Sequence, residues 1–247
     1  MDLEIAGRCA AVAASSSGLG FETARALADE GARVALCSRD ADRVSEAASK
    51  IGRGAVGFAC DLSTREGASA FIQQTEEALG PVDILVANGG GPPPGGASGV
   101  DLDALQGALE ANLVAMIALI ERVLPGMRER GFGRILAITS SAVREPLPNM
   151  VHSNTARAGL AAYLKTLAGE VASDGVTVNS ILPGAHDTAR VRALPPALVD
   201  RLATQIPTGK MGEARDFGRL AAMLCSGFAG QVTGTWLTVD GGAGSGT

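Results

Sequence analysis

The stretch Ala14-Ser15-Ser16-Ser17-Gly18-Leu19-Gly20 joins a short apolar run to a helical pattern. A strand, a turn of small residues and a helix N-terminus together make a cradle for a diphosphate, because free first-turn N–H groups and the helix dipole both favour an anion. Ser16 and Ser17 add hydroxyl donors. A tight turn with no ligand would need the same small residues. A second apolar run ends in Cys37-Ser38-Arg39, where a guanidinium offers paired donors suited to phosphate, although a solvated arginine at a strand end reads the same way. The groups able to trade protons are few: one tyrosine (Tyr163), three lysines (Lys50, Lys165, Lys210) and two histidines (His152, His186). Histidine titrates near neutral pH. His186 lies in the loop running from Pro183 to Thr188, whereas His152 is five residues before Arg157, about 140° around a helix from it, and is expected to face away.

The elements that must position these residues alternate between short runs rich in Val, Ile and Ala and longer helical patterns, which is the signature of stacked βαβ units. Seven strands are predicted: Cys9 to Ala13, Arg33 to Cys37, Ala55 to Cys60, Ile84 to Ala87, Gly133 to Thr139, Thr177 to Leu182 and Thr235 to Val239. Helices are predicted over Gly20 to Glu30, Ala41 to Ile51, Arg65 to Leu79, Asp101 to Arg130, Met150 to Ala172 and Glu213 to Cys225. The strands are almost continuously apolar, as when helices cover both faces of a parallel sheet. The expected fold is therefore α/β, a single-domain Rossmann arrangement over residues 1–247 with a doubly wound parallel sheet of seven strands. Gly89-Gly-Gly-Pro-Pro-Pro-Gly95 can be neither helix nor central strand, because three successive prolines lack N–H donors. It leaves the fourth strand at the sheet end where ligands bind in open α/β folds.

Composition narrows the partners. The chain has 247 residues, 46% hydrophobic and 19% charged, and 21 basic against 26 acidic side chains leave a net charge of −5. With no basic block to track a phosphate backbone, nucleic acid is not an expected partner. The longest purely apolar run, Leu113 to Ile120, is too short to span a membrane, and the N-terminus lacks the basic start of a signal peptide; a soluble cytoplasmic protein is expected. Cys9, Cys37, Cys60 and Cys225 stand singly without metal-ligand spacing, so buried thiols are expected, with no disulfide and no metal site.

With these residues in order, the chain resembles the short-chain dehydrogenase/reductase family. That family's Thr-Gly-x-x-x-Gly-x-Gly corresponds to Ala13, Ala14, Gly18 and Gly20, with alanine in place of the first glycine. Cys60-Asp61-Leu62 resembles its adenine-contacting aspartate, Asn88-Gly89 stands in its Asn-Asn-Ala-Gly stretch, and Pro183-Gly184 followed by Thr188 resembles the loop that holds the nicotinamide. The ending Leu237-Thr-Val-Asp-Gly-Gly242 is similar to that of 3-oxoacyl-[acyl-carrier-protein] reductases. The resemblance implies a dinucleotide site made of Ala14, Ser16, Ser17, Gly18, Leu19, Gly20, Ser38, Arg39, Asp61, Leu62, Asn88, Gly89, Arg157, Pro183, Gly184 and Thr188. Relatives that prefer NAD carry an acidic residue at the Ser38 position, so Ser38 with Arg39 implies NADP(H) ahead of NAD(H).

The family's catalytic set is an Asn, a Ser and a Tyr-x-x-x-Lys pair. Asn112 and Ser140 match the first two; the family spacing then reaches Ser153 and Arg157, where Tyr and Lys are usual. No realignment restores the pair, since Tyr163 lies ten residues further on and points nearly opposite to Lys165. In the family the tyrosine protonates the carbonyl oxygen as hydride arrives. A serine hydroxyl is far too weak an acid for this, and an arginine can supply charge but does not exchange protons at ordinary pH. Two functions stay open. One is an NADP(H)-dependent oxidoreductase with an atypical site (Asn112, Ser140, Ser153, Arg157) acting on a small-molecule or acyl-carrier-linked carbonyl. The other is a noncatalytic dinucleotide-binding protein or partner subunit of an active relative. By resemblance, the chain assembles as a homotetramer or homodimer. Residues Ala185 to Ile206, with Arg190, Arg192 and Arg201 among them, are expected to cover the cleft.

Overall fold

The computed structural model describes residues 1–244. In chain order the elements are β1 (Cys9–Val12), α1 (Gly18–Asp29), β2 (Arg33–Ser38), α2 (Ala41–Ile51), β3 (Val56–Ala59), α3 (Arg65–Leu79), β4 (Ile84–Ala87), α4 (Leu102–Leu109), α5 (Ala115–Glu129), β5 (Gly133–Ile138) and α6 (Val151–Val171). Then follow β6 (Val176–Pro183), β7 (His186–Asp187), α7 (Ala189–Arg192), α8 (Pro196–Thr204), β8 (Gly212–Glu213), α9 (Ala214–Leu224) and β9 (Trp236–Val239). The main sheet has seven strands in the order β3-β2-β1-β4-β5-β6-β9, every neighbouring pair parallel. This is one Rossmann-like α/β domain, and the seven strands predicted from the apolar runs are its seven strands.

Both faces of the sheet are covered, which explains why the strands read as continuous apolar runs. Along β1, Cys9 and Ala11 enter one core with Phe71 of α3, Leu119 of α5 and Leu164 of α6. Ala10 and Val12 point the other way, into a core with Leu27 of α1, Val44 of α2 and Phe217 of α9. Strand alternation thus sends every residue of the run into one interior or the other. All four cysteines are buried among these apolar side chains.

The helix predicted over Asp101 to Arg130 is not regular. Between α4 and α5 a π turn spans Glu110–Val114 and places Asn112 in the wall of the cleft. A π turn inserts one residue without ending the helix, so the helical pattern runs on through it and hides it. The covering segment resolves into α7 and α8, with the short β7–β8 pair beside them.

The chain crosses from β3 back to β4 beside β1, so successive connections leave the sheet in opposite directions there. At such a switch point the loops after β1 and β4 diverge and open a crevice. Of the residues singled out above, Ala14, Ser16, Ser17, Ser38, Arg39, Asp61, Leu62, Gly89, Asn112 and Arg190 line that crevice, whereas Ser140, Ser153, Arg157, Pro183, Gly184 and Thr188 are not among its lining residues.

Candidate active site

The crevice has a volume of about 960 Å³ and is lined by the turn after β1, the ends of β2 and β3, the glycine-proline loop after β4, the π turn, and Arg190. At its centre the turn leading to α1 is built for close approach. A Cβ on Gly20 would lie 2.7 Å from Asn88 Nδ2 and 2.8 Å from the Ala14 carbonyl oxygen. Asn88 fixes that turn by donating from Nδ2 to the carbonyls of Ala13 (3.3 Å) and Ala14 (3.1 Å). Ser15 is buried, with its hydroxyl donated to Val12 O at 2.6 Å. Ser16 and Ser17 are not buried, and Ser17 occupies the N-cap of α1 without a side-chain cap bond. The first-turn N–H groups of α1 are therefore left without a side-chain acceptor, and the helix dipole points at the same place. This arrangement fits a diphosphate. Leu19 is half-buried, and Gly18 lies beneath Thr188, whose Cγ2 is 3.9 Å from where a Gly18 Cβ would be.

Ala14 adopts φ +46°, a left-handed conformation. The family's glycine at this place takes that conformation freely, whereas an L-residue loses about 1–2 kcal/mol in it. Ala14→Gly is expected to stabilise the protein by about 1 kcal/mol after the extra flexibility of the unfolded glycine chain is subtracted. Urea denaturation measures this directly, and a destabilised variant would show that the methyl group's packing outweighs its strain.

At the outer end, Ser38, Arg39, Asp61 and Leu62 line the cleft as expected, and Arg43 joins them from the first turn of α2. Asp40 is nearby, but its Oδ1 accepts the Arg43 backbone N–H at 3.0 Å as the cap of α2. The Asp61 carboxyl is held below the usual carboxylate range by hydrogen bonds from the Ser63 N–H and hydroxyl, with a lesser contribution from Arg39. Arg43 was not picked out from the sequence, although the helix start at Ala41 that puts it in the first turn of α2 was predicted.

The residues predicted to act on the substrate lie on the π turn, at the end of β5 and on α6. Arg157 runs beneath the end of β5, donating from Nη1 to the carbonyls of Ile138 (2.9 Å) and Thr139 (3.1 Å) and from Nε to Ser153 Oγ (3.3 Å). Among the described residues no carboxylate lies within ion-pair distance of it, and Nη2 donates to no protein group. Burial, and secondarily the charge of Arg190, lower its pKa to about 10, so it remains a cation at neutral pH. A lysine, starting near 10.4, would lose its charge much more readily in the same surroundings. Ser153 is buried, and Ser140 Oγ accepts the Ala142 N–H at 3.1 Å, which leaves the Ser140 O–H free to donate. Asn112 is also buried; its Nδ2 donates to Ala108 O at 3.4 Å and its Oδ1 has no partner. A Cβ on Gly89 would come within 2.9 Å of that oxygen, so glycine keeps the path to it open. Pro183 ends β6 in register with Val239, and Gly184 donates its N–H to Val239 O, so this loop is tied to the sheet end.

The other proton-bearing groups lie elsewhere. Tyr163 donates to Glu121 Oε1 at 2.6 Å, and burial with that carboxylate raises its pKa above the usual phenol value. Lys165 donates to Gly234 O at 2.7 Å. His186 is buried edge-on against Phe217, with Nδ1 donated to Gly184 O, and burial lowers its pKa. His152 is packed against Gly95 with Nδ1 2.9 Å from Pro93 O and does not line the cleft. It braces the proline loop, which Gly95 also ties to Met150 through a parallel bridge. The five-residue offset from Arg157 is right; what lies on that side of α6 is the returning loop.

Comparison with known proteins agrees with this geometry. A family model described as enoyl-(acyl carrier protein) reductase matches residues 13–244. Acetoacetyl-CoA reductase of Shinella zoogloeoides is 33% identical over 236 residues, covering 95% of this chain and 98% of that protein. L-Sorbose reductase from Gluconobacter frateurii, solved with NADPH and L-sorbose, superposes with a TM-score of 0.93 at 30% identity, covering 98% of both chains. A 7α-hydroxysteroid dehydrogenase solved with NADH and 7-oxo glycochenodeoxycholic acid gives 0.92 at 30% identity, covering 98% of this chain and 96% of that one. With the family model matching nearly the whole chain and a relative 33% identical over 95% of it, the chain belongs to the short-chain dehydrogenase/reductase family of oxidoreductases.

Proposed function

We propose that the chain is an NADP(H)-dependent oxidoreductase that reduces a carbonyl of the 3-oxoacyl kind with an atypical active site. The observation that carries this reading is the partly buried Arg157 guanidinium, held under the end of β5 with no carboxylate among the described residues within ion-pair distance. A desolvated cation with free N–H groups is poised for developing negative charge on oxygen. The relatives named as acetoacetyl-CoA reductase and as an NADPH-bound reductase support the reaction class and the cofactor.

In this reading the α1 turn, with Ser16, Ser17, Gly18, Leu19 and Gly20, holds the diphosphate. Asp61 and Leu62 meet the adenine, Asn88 and Gly89 wall the ribose, and Pro183, Gly184 and Thr188 border the nicotinamide. Ser38 leaves room for a 2′-phosphate that Arg39 and Arg43 receive. The bound dinucleotide supplies the hydride. Ser140 donates its free O–H to the substrate oxygen. Arg157 holds the ribose side and stabilises the oxyanion as it forms. Ser153, whose oxygen is turned to Arg157 Nε, has its own hydrogen available to position a water, and Asn112 Oδ1 accepts from a second water behind it. The alkoxide forms first, held by the Arg157 charge, and then takes its proton from the water at Ser153, which regains one from bulk solvent, so no phenol is needed. Small exposed residues along α6, Ala158, Ala162 and Gly169, suit close packing against a second copy in a homodimer or homotetramer.

Calorimetric titration with NADPH and then NADH tests the cofactor assignment. Micromolar NADPH affinity at least about tenfold above that for NADH is expected, and Arg39→Ser should remove most of the difference by taking away a charge-assisted phosphate contact. Failure to bind either dinucleotide would overturn the reductase reading.

A further inference from the structure

Arg157 is not the only cation without a carboxylate partner. Arg190, in the covering segment, reaches back into the cleft and lies against the α-carbon of Gly91, where any side chain would collide with its guanidinium. The one carboxylate nearby in sequence, Asp187, is taken by Arg192, which donates to both of its oxygens at 2.6 and 2.8 Å. The cleft's own carboxylates, Asp40 and Asp61, stand across the switch point, after β2 and β3, and each accepts hydrogen bonds from its own loop. The glycine-proline loop beside Arg190, from Gly89 to Pro93, carries no side chain able to offset a charge. Arg190 therefore lines the cleft, and its charge acts on Arg157 under the end of β5; among the described residues neither guanidinium has a carboxylate within ion-pair distance. Like charges held together this way are stabilised by an anion arriving from outside.

We propose that Arg190 determines specificity by receiving a carboxylate on the substrate, next to the carbonyl oxygen that Arg157 faces, so that the substrates are 3-oxo acids with a free carboxylate. The inference rests on the carbonyl-reductase reading and puts the free 3-oxo acid, in place of a carrier-linked one, as its substrate. Hydride adds to the carbonyl carbon and a proton to its oxygen, giving a 3-hydroxy acid, while the carboxylate is unchanged. The planar fork of the guanidinium matches a carboxylate in a way a neutral ester cannot exploit.

The test is calorimetric titration of acetoacetate and of methyl acetoacetate into the NADP⁺-saturated protein, for the wild type, Arg190→Gln and Arg190→Lys, with NADPH affinity measured in each. Acetoacetate is expected to bind about tenfold or more tighter than its ester. Arg190→Gln should abolish that preference, Arg190→Lys should retain part of it, and NADPH affinity should stay within about twofold. Equal binding of acid and ester, a preference that survives Arg190→Gln, or no detectable binding of acetoacetate overturns the proposal. A tenfold loss of NADPH affinity in Arg190→Gln also overturns it, by assigning the guanidinium to the dinucleotide's phosphates. If the wild type binds no dinucleotide yet keeps the acid-over-ester preference, the reductase reading falls and the carboxylate site stands.

Discussion

Arg157→Met is expected to lower carbonyl turnover by about 10²- to 10³-fold, the range observed when one preorganised oxyanion donor is removed. The effect should fall on kcat and kcat/KM together, because the guanidinium acts on charge that exists only as the hydride arrives. Stability should change by no more than about 1–2 kcal/mol. Two opposing effects explain this: the carbonyls of Ile138 and Thr139 lose their donors, but an unpaired cation is no longer buried. Arg157→Lys is informative in the same experiment. Burial depresses a lysine further toward neutrality than an arginine, so its activity should decline as pH rises through a range where the wild type is still fully charged. Turnover unaffected by Arg157→Met, with the fold intact by circular dichroism, would remove this residue from the reaction.

Much of the frame that holds Arg157 was legible in the chain, because burial on both faces writes itself into β1 and β4 as unbroken apolar runs and into β5 as one interrupted only by Arg134, and the glycine turn marks where α1 begins. Ser153 and Arg157 were reached by the resembling family's spacing from Ser140, and the structure joins the two by a hydrogen bond. Two kinds of feature could not be read this way. The π turn at Glu110–Val114 leaves the helical periodicity nearly undisturbed, yet it sets where Asn112 points. Arg43 and Arg190 enter the cleft only because α2 and the covering segment fold back over it; nothing local distinguishes Arg190 from Arg192, which turns to Asp187 instead. His152 belongs with these, since its partner Pro93 is 59 residues away in the chain.

Ser153→Tyr combined with Arg157→Lys is expected to raise turnover by about 10²-fold, within the 10²- to 10⁴-fold range that a positioned general acid contributes. The two positions are four apart on α6 and already share a hydrogen bond, so a phenol and an ammonium placed there would stand side by side. The ammonium charge lowers the phenol pKa, and the proton no longer has to come from a water held by Ser153. Tyr163 cannot substitute, because its hydroxyl is committed to Glu121, and that carboxylate opposes its ionisation. Ser153 is buried, so the new ring must project into the cleft and could alter turnover through its bulk. Ser153→Phe with Arg157→Lys supplies the control, carrying the same ring without the hydroxyl. A gain seen only with the phenol identifies proton delivery as the step that limits the natural site. Equal, negligible turnover in both doubles and in the wild type, with NADPH still bound, would instead make the cleft a dinucleotide-binding surface without hydride chemistry, since even the family's own acid–base pair would then find no reaction to assist.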